Sequence, residues 1–350
     1  MVTAAAAVLK CQVRQSGEEL THIKLTVYCI REDEEAIFRA QAAERGVELE
    51  LTPRRLTEET AALAAGSQAV AIVASCRITD GVARALRDAG VRYVLTRGTG
   101  YDHIDLAAAA GHGLRCANVR VYSRNAVSEH TVMMVLALLR GLKGELFKVR
   151  DFNFRLPEAP ARELGSLTAG VFGTGLIGSR TARLLRAFGC RVLAYTPHPR
   201  RELDGVVEYV TAQELFSRSD VIVFHCALTE DTRGIVNRET IAGMKDGVYL
   251  VNSARGELMD FAAVLDGLKS GKIAGLATDV YPNEAAFVRK NMAGSELDRV
   301  LSELVAMDNV IVTPHIAFYT GTAVENIITT TFENFKAFHE TGRCENELSV

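Results

Sequence analysis

Short runs of β-branched and aliphatic residues alternate along almost the whole chain with longer segments whose apolar residues recur at helical spacing. Parallel strands joined through crossover helices produce that alternation, because every crossover buries one face on the sheet. The pattern predicts a first series of strands at 23–29, 69–74, 91–96 and 115–118. A second series is predicted at 169–172, 191–195, 221–225, 248–252, 273–278 and 310–313. Two open sheets fit ten strands in two blocks better than one. Between the blocks, 128–142 is apolar on all sides through Val132, Met133, Met134, Val135, Leu136, Leu138 and Leu139. A helix without a polar face must be covered all round, which predicts a place in a cleft between domains. The polar stretch 151–165, with Pro157 and Pro160, reads as a connecting loop.

Length supports the same division, since 350 residues exceed what one growing core accommodates and imply about two domains. The net charge of −3, from 40 basic and 43 acidic residues, is spread without a basic tract. That argues against nucleic acid and membrane surfaces as partners and leaves room for a small anionic ligand at a local site. Seven widely spaced cysteines, with no C-x-x-C pair, read as reduced thiols of a cytoplasmic protein and not as a disulfide framework or zinc site; no metal is expected. The most apolar helical run, 132–139, falls well short of the roughly 18–20 residues of a membrane span. The Ala4–Ala7 run has no basic segment before it, so no signal peptide is expected, and residues 1–21 read as an extension without an assigned role.

One glycine pattern carries chemistry. Residues 169–178 run as a strand into Gly173-Thr174-Gly175-Leu176-Ile177-Gly178, a G-x-G-x-x-G, followed by a helix with Ile177, Thr181, Leu184, Leu185 and Phe188 on its apolar face. Gly173 permits the tight turn, Gly175 lets the backbone approach a pyrophosphate, and Gly178 lets the helix pack on its strand. The fingerprint alone is weak, but the strand before it, helix after it and strand at 191–195 complete a dinucleotide-binding unit. That second strand usually ends in a carboxylate that binds the adenosine ribose. Here the place belongs to Thr196, with Arg200 and Arg201 close behind. Without a carboxylate nothing repels a 2′-phosphate, so NADP stays open beside NAD, as does the plainer reading of two arginines on a solvated loop.

Three further segments follow predicted strands at the edge where open α/β sheets bind ligands: 252–256 with Arg255, 279–284 with Asp279 and Glu284, and 313–315 with His315. Reduction of a keto acid requires a cation for the carboxylate, a polariser for the carbonyl and an acid for the oxygen. Each residue singly has a structural explanation: an ion pair for Arg255, a loop charge for Glu284, a buried histidine for His315. Together on one edge they reinforce one another. His103, His130 and His225 lack that setting and read as packing or hinge residues.

These motifs, with Thr96-Arg-Gly-Thr-Gly100-Tyr-Asp-His-Ile-Asp105, Tyr122-Ser-Arg-Asn-Ala126, Glu129-His130 and His315-Ile-Ala-Phe318-Tyr319-Thr320, resemble the D-isomer-specific 2-hydroxyacid dehydrogenases over 23–345. The excursion at 282–308 and the His-x-x-Phe-Tyr ending resemble the D-lactate and D-2-hydroxyisocaproate dehydrogenase branch. The stretch 189–196 is similar to the lactate dehydrogenases of vancomycin resistance.

The resemblance implies two doubly wound α/β domains. A discontinuous flavodoxin-like substrate domain would comprise 1–120 and 320–350, and a Rossmann cofactor domain 121–319, with closure of the cleft between them during turnover. It implies a nicotinamide-dependent oxidoreductase converting a 2-keto acid to its D-2-hydroxy acid, and a homodimer. By resemblance, His315 is the proton donor, Glu284 holds it protonated, and Arg255 grips carboxylate and keto oxygen. The amides of Thr99 and Gly100 complete the anion site, and Tyr122, Phe318 and Tyr319 line the side-chain pocket. The cofactor would meet Gly173, Thr174, Gly175, Leu176, Ile177 and Gly178 at its pyrophosphate, Thr196 at its ribose and Asp279 at its carboxamide. Cys226, Ala227, Thr232, Ser253 and Ala254 would flank the remainder, Ala227 standing where the family often has proline. The competing reading is a dinucleotide-sensing corepressor on the same fold, which can retain the arginine, glutamate and histidine. This chain lacks the long Pro-rich tails of such proteins.

Overall fold

The computed structural model describes residues 23–123 and 125–349. The extension at 1–21, with Cys11 and the Ala4–Ala7 run, lies outside them. Strands in chain order are β1 (Lys24–Tyr28), β2 (Glu48–Thr52), β3 (Ala69–Ile72), β4 (Tyr93–Thr96), β5 (Arg115–Ala117) and β6 (Thr168–Phe172). They continue with β7 (Arg191–Tyr195), β8 (Glu208–Tyr209), β9 (Val221–Phe224), β10 (Val248–Asn252), β11 (Ile273–Thr278), β12 (Val310–Val312) and β13 (Glu347–Leu348). The chain divides into two compact units: one ends at Val119 and resumes at Ile328, the other is Arg120–Ile327. The return falls inside the helix Gly321–Thr341.

The first unit holds a six-stranded sheet in the order β13-β5-β4-β3-β1-β2. Apart from β13, which pairs antiparallel with β5, its strands are parallel, and β2-β1-β3-β4-β5 is the flavodoxin-like order. The second holds a seven-stranded parallel sheet, β12-β11-β10-β9-β6-β7-β8, which is the Rossmann order extended by one strand. Helices cover both faces of each sheet, so β3, β4 and β9 are buried at every residue, and β3 and β9 read as unbroken apolar runs. The three strands absent from the sequence reading, β2, β8 and β13, are edge strands, short or with alternate residues facing solvent.

The helix expected at 128–142 runs Ala126–Leu139, and its all-round burial does not hold: Met133 is 50% exposed. Its buried face, including Val132, Val135 and Leu139, lies on its own unit's sheet beside β10, β11 and β12 and against the helix Leu176–Ala187. Gly141 stops the Ala126–Leu139 helix with a φ of 56° and a new helix, Leu142–Arg150, begins. In the second unit the order reverses at β6, between β7 and β9, and every strand-end segment named above opens on the carboxyl edge of this one sheet.

Candidate active site

The nucleotide cradle follows from what each glycine excludes. Gly173 has a φ of +97°, and a Cβ there would sit 2.7 Å from the Cys226 nitrogen. A Cβ on Gly178 would lie 1.9 Å from the Gly173 carbonyl oxygen, so only glycine lets the helix start this close to β6. Gly175 differs: it has open space around it, at the N-cap of Leu176–Ala187, and no side chain caps the helix. The first amides of that helix therefore remain for an anion, with the positive end of the helix behind them. Nearby, the Thr174 hydroxyl is buried without a partner. Open room, uncapped amides and an orphaned hydroxyl fit a dinucleotide pyrophosphate. Thr196 is partly exposed just after β7. In the following loop the Arg200 amide donates to Tyr209 Oη (2.9 Å) and its guanidinium to Glu202 (3.1 Å), at the surface.

Across the edge, β10 ends in buried Asn252, whose carboxamide builds the next turn by donating to the Arg255 carbonyl (2.9 Å) and accepting from the Ala254 amide (3.0 Å). Ser253 Oγ lies 2.7 Å from Thr131 Oγ1, and Arg255 Nη1 donates to the Ala254 carbonyl (2.8 Å). A Cβ on Gly256 would come within 2.3 Å of Tyr281, so this turn is pressed directly onto the loop after β11.

That loop and the turn after β12 are organised by one carboxylate. Asp279 is 1% exposed, and it accepts from Thr313 Oγ1 (2.5 Å) and from the amides of Ile316 (2.9 Å) and Ala317 (2.8 Å). Its own carbonyl accepts from the His315 amide (2.9 Å). These bonds hold His315 at a φ of 56°, a left-handed conformation that only surrounding structure sustains in a histidine. Since the Thr313 hydroxyl donates to Asp279, it accepts from His130 Nε2 (3.2 Å), which places His130 behind the site as a neutral support. Burial lowers its pKa, against the pull of Asp279. Asp279, which the sequence reading placed against the nicotinamide, also organises the turn carrying His315.

Asn283, also left-handed (φ 55°), turns the chain so that Glu284 Oε1 accepts from His315 Nδ1 while Oε2 accepts from the Tyr281 amide (3.1 Å). Both side chains remain partly exposed. Phe318 stands edge-on to both His315 (centroids 6.2 Å) and Tyr122 (6.3 Å), and Tyr319 continues the cluster (6.0 Å). Burial pushes the Tyr122 phenol up to about 12, with Arg255 opposing and Asp279 assisting, so it faces the site uncharged. Ala227 and Thr232 belong to one turn, the Thr232 hydroxyl donating to the Ala227 carbonyl (2.7 Å). Burial raises the Cys226 thiol to about 11, which makes it a packing group. His225 is pushed down to about 4 by burial and stays neutral; His103 Nε2 pairs with Thr96 Oγ1 (3.1 Å).

Of the site residues read from the sequence, all but two lie in the second unit. Thr99 and Gly100 belong to the first, where the Thr99 hydroxyl donates to the Val119 carbonyl (3.0 Å) and its carbonyl accepts from buried Asn118 (2.7 Å). The organising roles of Asn252, Thr313 and Asn118 escaped the sequence reading. The one signal for them is a polar side chain at or just past the end of an apolar strand.

A glycine-lined helix start, with an arginine and a glutamate-held histidine on the same sheet edge, defines a dinucleotide-dependent dehydrogenase. Residues 132–317 match the D-isomer specific 2-hydroxyacid dehydrogenase NAD binding domain, and the chain belongs to that family. It is 36% identical over 327 residues to the aromatic 2-oxoacid reductase of Clostridium sporogenes, covering 93% of this chain and 99% of that one. Against D-lactate dehydrogenase of Escherichia coli it is 37% identical over 328 residues, covering 93% and 100%. Among solved structures, D-2-hydroxyisocaproate dehydrogenase superposes with a TM-score of 0.84 at 33% identity, covering 94% of this chain and all of the other. The protein is thus an NAD-dependent oxidoreductase that interconverts a 2-keto acid and a D-2-hydroxy acid.

Proposed function

We propose that His315 is the acid–base group of this reaction, and the pairing of its Nδ1 with Glu284 carries the assignment. NADH, when bound, supplies the hydride. Nε2 of His315, the nitrogen that Glu284 does not engage, donates its proton to the keto oxygen during reduction and takes it back during oxidation. Glu284 fixes the ring and balances the charge of its protonated form. Arg255 binds the substrate carboxylate and polarises the keto oxygen, and Thr99 and Gly100 are the substrate-binding residues of the first unit. Tyr122, Phe318 and Tyr319 receive the substrate side chain. Leu176 and Ile177 amides hold the pyrophosphate, aided by the glycines and Thr174. Thr196 takes the ribose, and Cys226, Ala227, Thr232, Ser253 and Ala254 form the walls around the remaining cofactor. Thr196 with Arg200 and Arg201 supports acceptance of NADPH beside NADH.

The unit formed by Arg120–Ile327 is the cofactor domain in this reading, and the other binds substrate. A homodimer is supported by a run of exposed apolar side chains in and after one helix: Leu146, Phe147, Val149, Phe152, Phe154 and Leu156. Changing Phe152 and Phe154 to Asp should convert a dimer to a monomer in equilibrium sedimentation; a wild-type monomer would contradict the dimer. No helix among the described residues is long and apolar enough to cross a membrane. The seven widely spaced cysteines without a C-x-x-C pair support a reducing, cytoplasmic setting.

Initial rates of NADH and NADPH oxidation with 2-keto acids from pyruvate through phenylpyruvate to 2-ketoglutarate test the reading. Turnover with one class of side chain assigns the pocket. Dinucleotide binding without turnover of any of them would overturn the assigned roles.

A further inference from the structure

Cys29 and Cys76 lie 47 positions apart, yet the structure brings their sulfurs to 3.7 Å in the first unit. Cys29 follows β1 with a φ of 52°, a left-handed conformation unfavourable for a side chain of any size. It is partly exposed, whereas Cys76, in the turn after β3, is buried and accepts from the Leu56 amide (3.4 Å). Ser75 Oγ stands 3.8 Å from the Cys29 sulfur. The contact between the two thiols divides their acidities. The S–H of Cys76 holds the Cys29 thiol below its ordinary range, against burial and with help from Ser75, Arg97 and Arg55; the same contact and burial raise Cys76. Cys29, the more exposed of the two, is therefore the sulfur an oxidant meets, and Cys76 stands in reach to resolve whatever forms on it. Bond formation needs a further approach of under roughly 2 Å, toward the usual S–S length.

We propose that Cys29 and Cys76 form a dithiol that hydroperoxides oxidise to an intramolecular disulfide, and that the oxidised enzyme binds 2-keto acids more weakly. The Cys29 thiolate attacks one peroxide oxygen, the O–O bond breaks, and the leaving oxygen takes a proton to become water or an alcohol. Cys29 is then a sulfenic acid. The Cys76 sulfur attacks it, the S–O bond breaks, and the hydroxyl leaves with the Cys76 proton as water. Two thiols lose two electrons and two protons, and the peroxide is the oxidant that takes them.

The consequence for substrate follows from what the two cysteines are tied to. Arg97 Nη2 donates to the carbonyls of Tyr28 (2.7 Å) and Cys29 (3.1 Å). On the other side the Ile78 amide donates to the His103 carbonyl (3.0 Å), and the Asp105 amide to the Ile78 carbonyl (3.0 Å). Both ends of the cross-link thus hold the segment 97–105, and the effect on keto acids rests on the role proposed above for Thr99 and Gly100 within it.

The full-length enzyme is treated with hydrogen peroxide, digested without reduction and mapped by mass spectrometry, while KM for a keto acid and the dissociation constant for NADH are measured on the same sample. The expected result is a peptide joining Cys29 to Cys76 and a KM raised several-fold with NADH affinity unchanged. Dithiothreitol reverses both, and C29S and C76S each abolish both. Without that peptide the dithiol is overturned; with it but with unchanged KM, its link to substrate binding is overturned. The peptide map needs no turnover, so the dithiol stands or falls apart from the roles given to Thr99 and Gly100.

Discussion

Oε1 of Glu284 accepts the Nδ1 proton of His315 across 31 positions of chain, so Nε2 is the ring nitrogen that Glu284 does not engage. Neither residue is held by its own strand. Glu284 is delivered by the left-handed turn at Asn283, and His315 by bonds from the Asp279 backbone and carboxylate.

Under the role proposed for His315, Asp279 is a positioning residue. In Asp279→Asn one of the oxygens serving Thr313, Ile316 and Ala317 becomes a donor, and a buried amide loses its acceptor at a cost of about 1–3 kcal/mol. Melting temperature should fall, and kcat should fall more steeply than NADH affinity. Normal kcat in a folded Asn variant would show that the turn does not depend on this carboxylate.

The fingerprint glycines separate folding from binding. Gly178→Ala places a methyl 1.9 Å from a backbone oxygen and should destabilise the unit by about 1–3 kcal/mol or more. Gly175→Ala meets open space at an ordinary φ of −61° and should melt like wild type. With the pyrophosphate placed as proposed, its methyl occupies the approach, so NADH affinity should drop about tenfold or more, equivalent to about 1.4 kcal/mol. Calorimetry and fluorescence titration on the two variants check the contrast; equal melting losses would remove it.

In the proposed reading, cofactor choice turns on Thr196. Thr196→Asp supplies a carboxylate that accepts from ribose hydroxyls and repels a 2′-phosphate, and it should raise the NADH-to-NADPH ratio of kcat/KM by roughly tenfold. A ratio that does not move would place the adenosine ribose elsewhere than at Thr196.

What the sequence reveals follows burial. Interior strands such as β9, apolar at every position, were legible as strands, while β2, β8 and β13 were not, since β8 and β13 span two residues each and alternate residues of β2 are exposed. The Ala126–Leu139 helix looked buried on all sides because composition does not show that Met133 escapes cover. At the site, the glycine fingerprint is local and could be read directly. The pairing of Glu284 with His315 came only through resemblance, because nothing in their separation specifies it. The Asp279 network and the Cys29–Cys76 contact join residues that only the tertiary fold brings together, and no local pattern announces either.

The central claim is that His315 moves the proton, and His315→Gln tests it most directly. Glutamine keeps hydrogen-bonding capacity near Glu284 but cannot serve as a general acid. With NADH and the best keto acid, kcat should fall by roughly 10²–10⁴-fold while NADH binding, followed by fluorescence, stays near wild type. A His315→Gln enzyme that binds NADH and turns over at the wild-type rate would contradict the account.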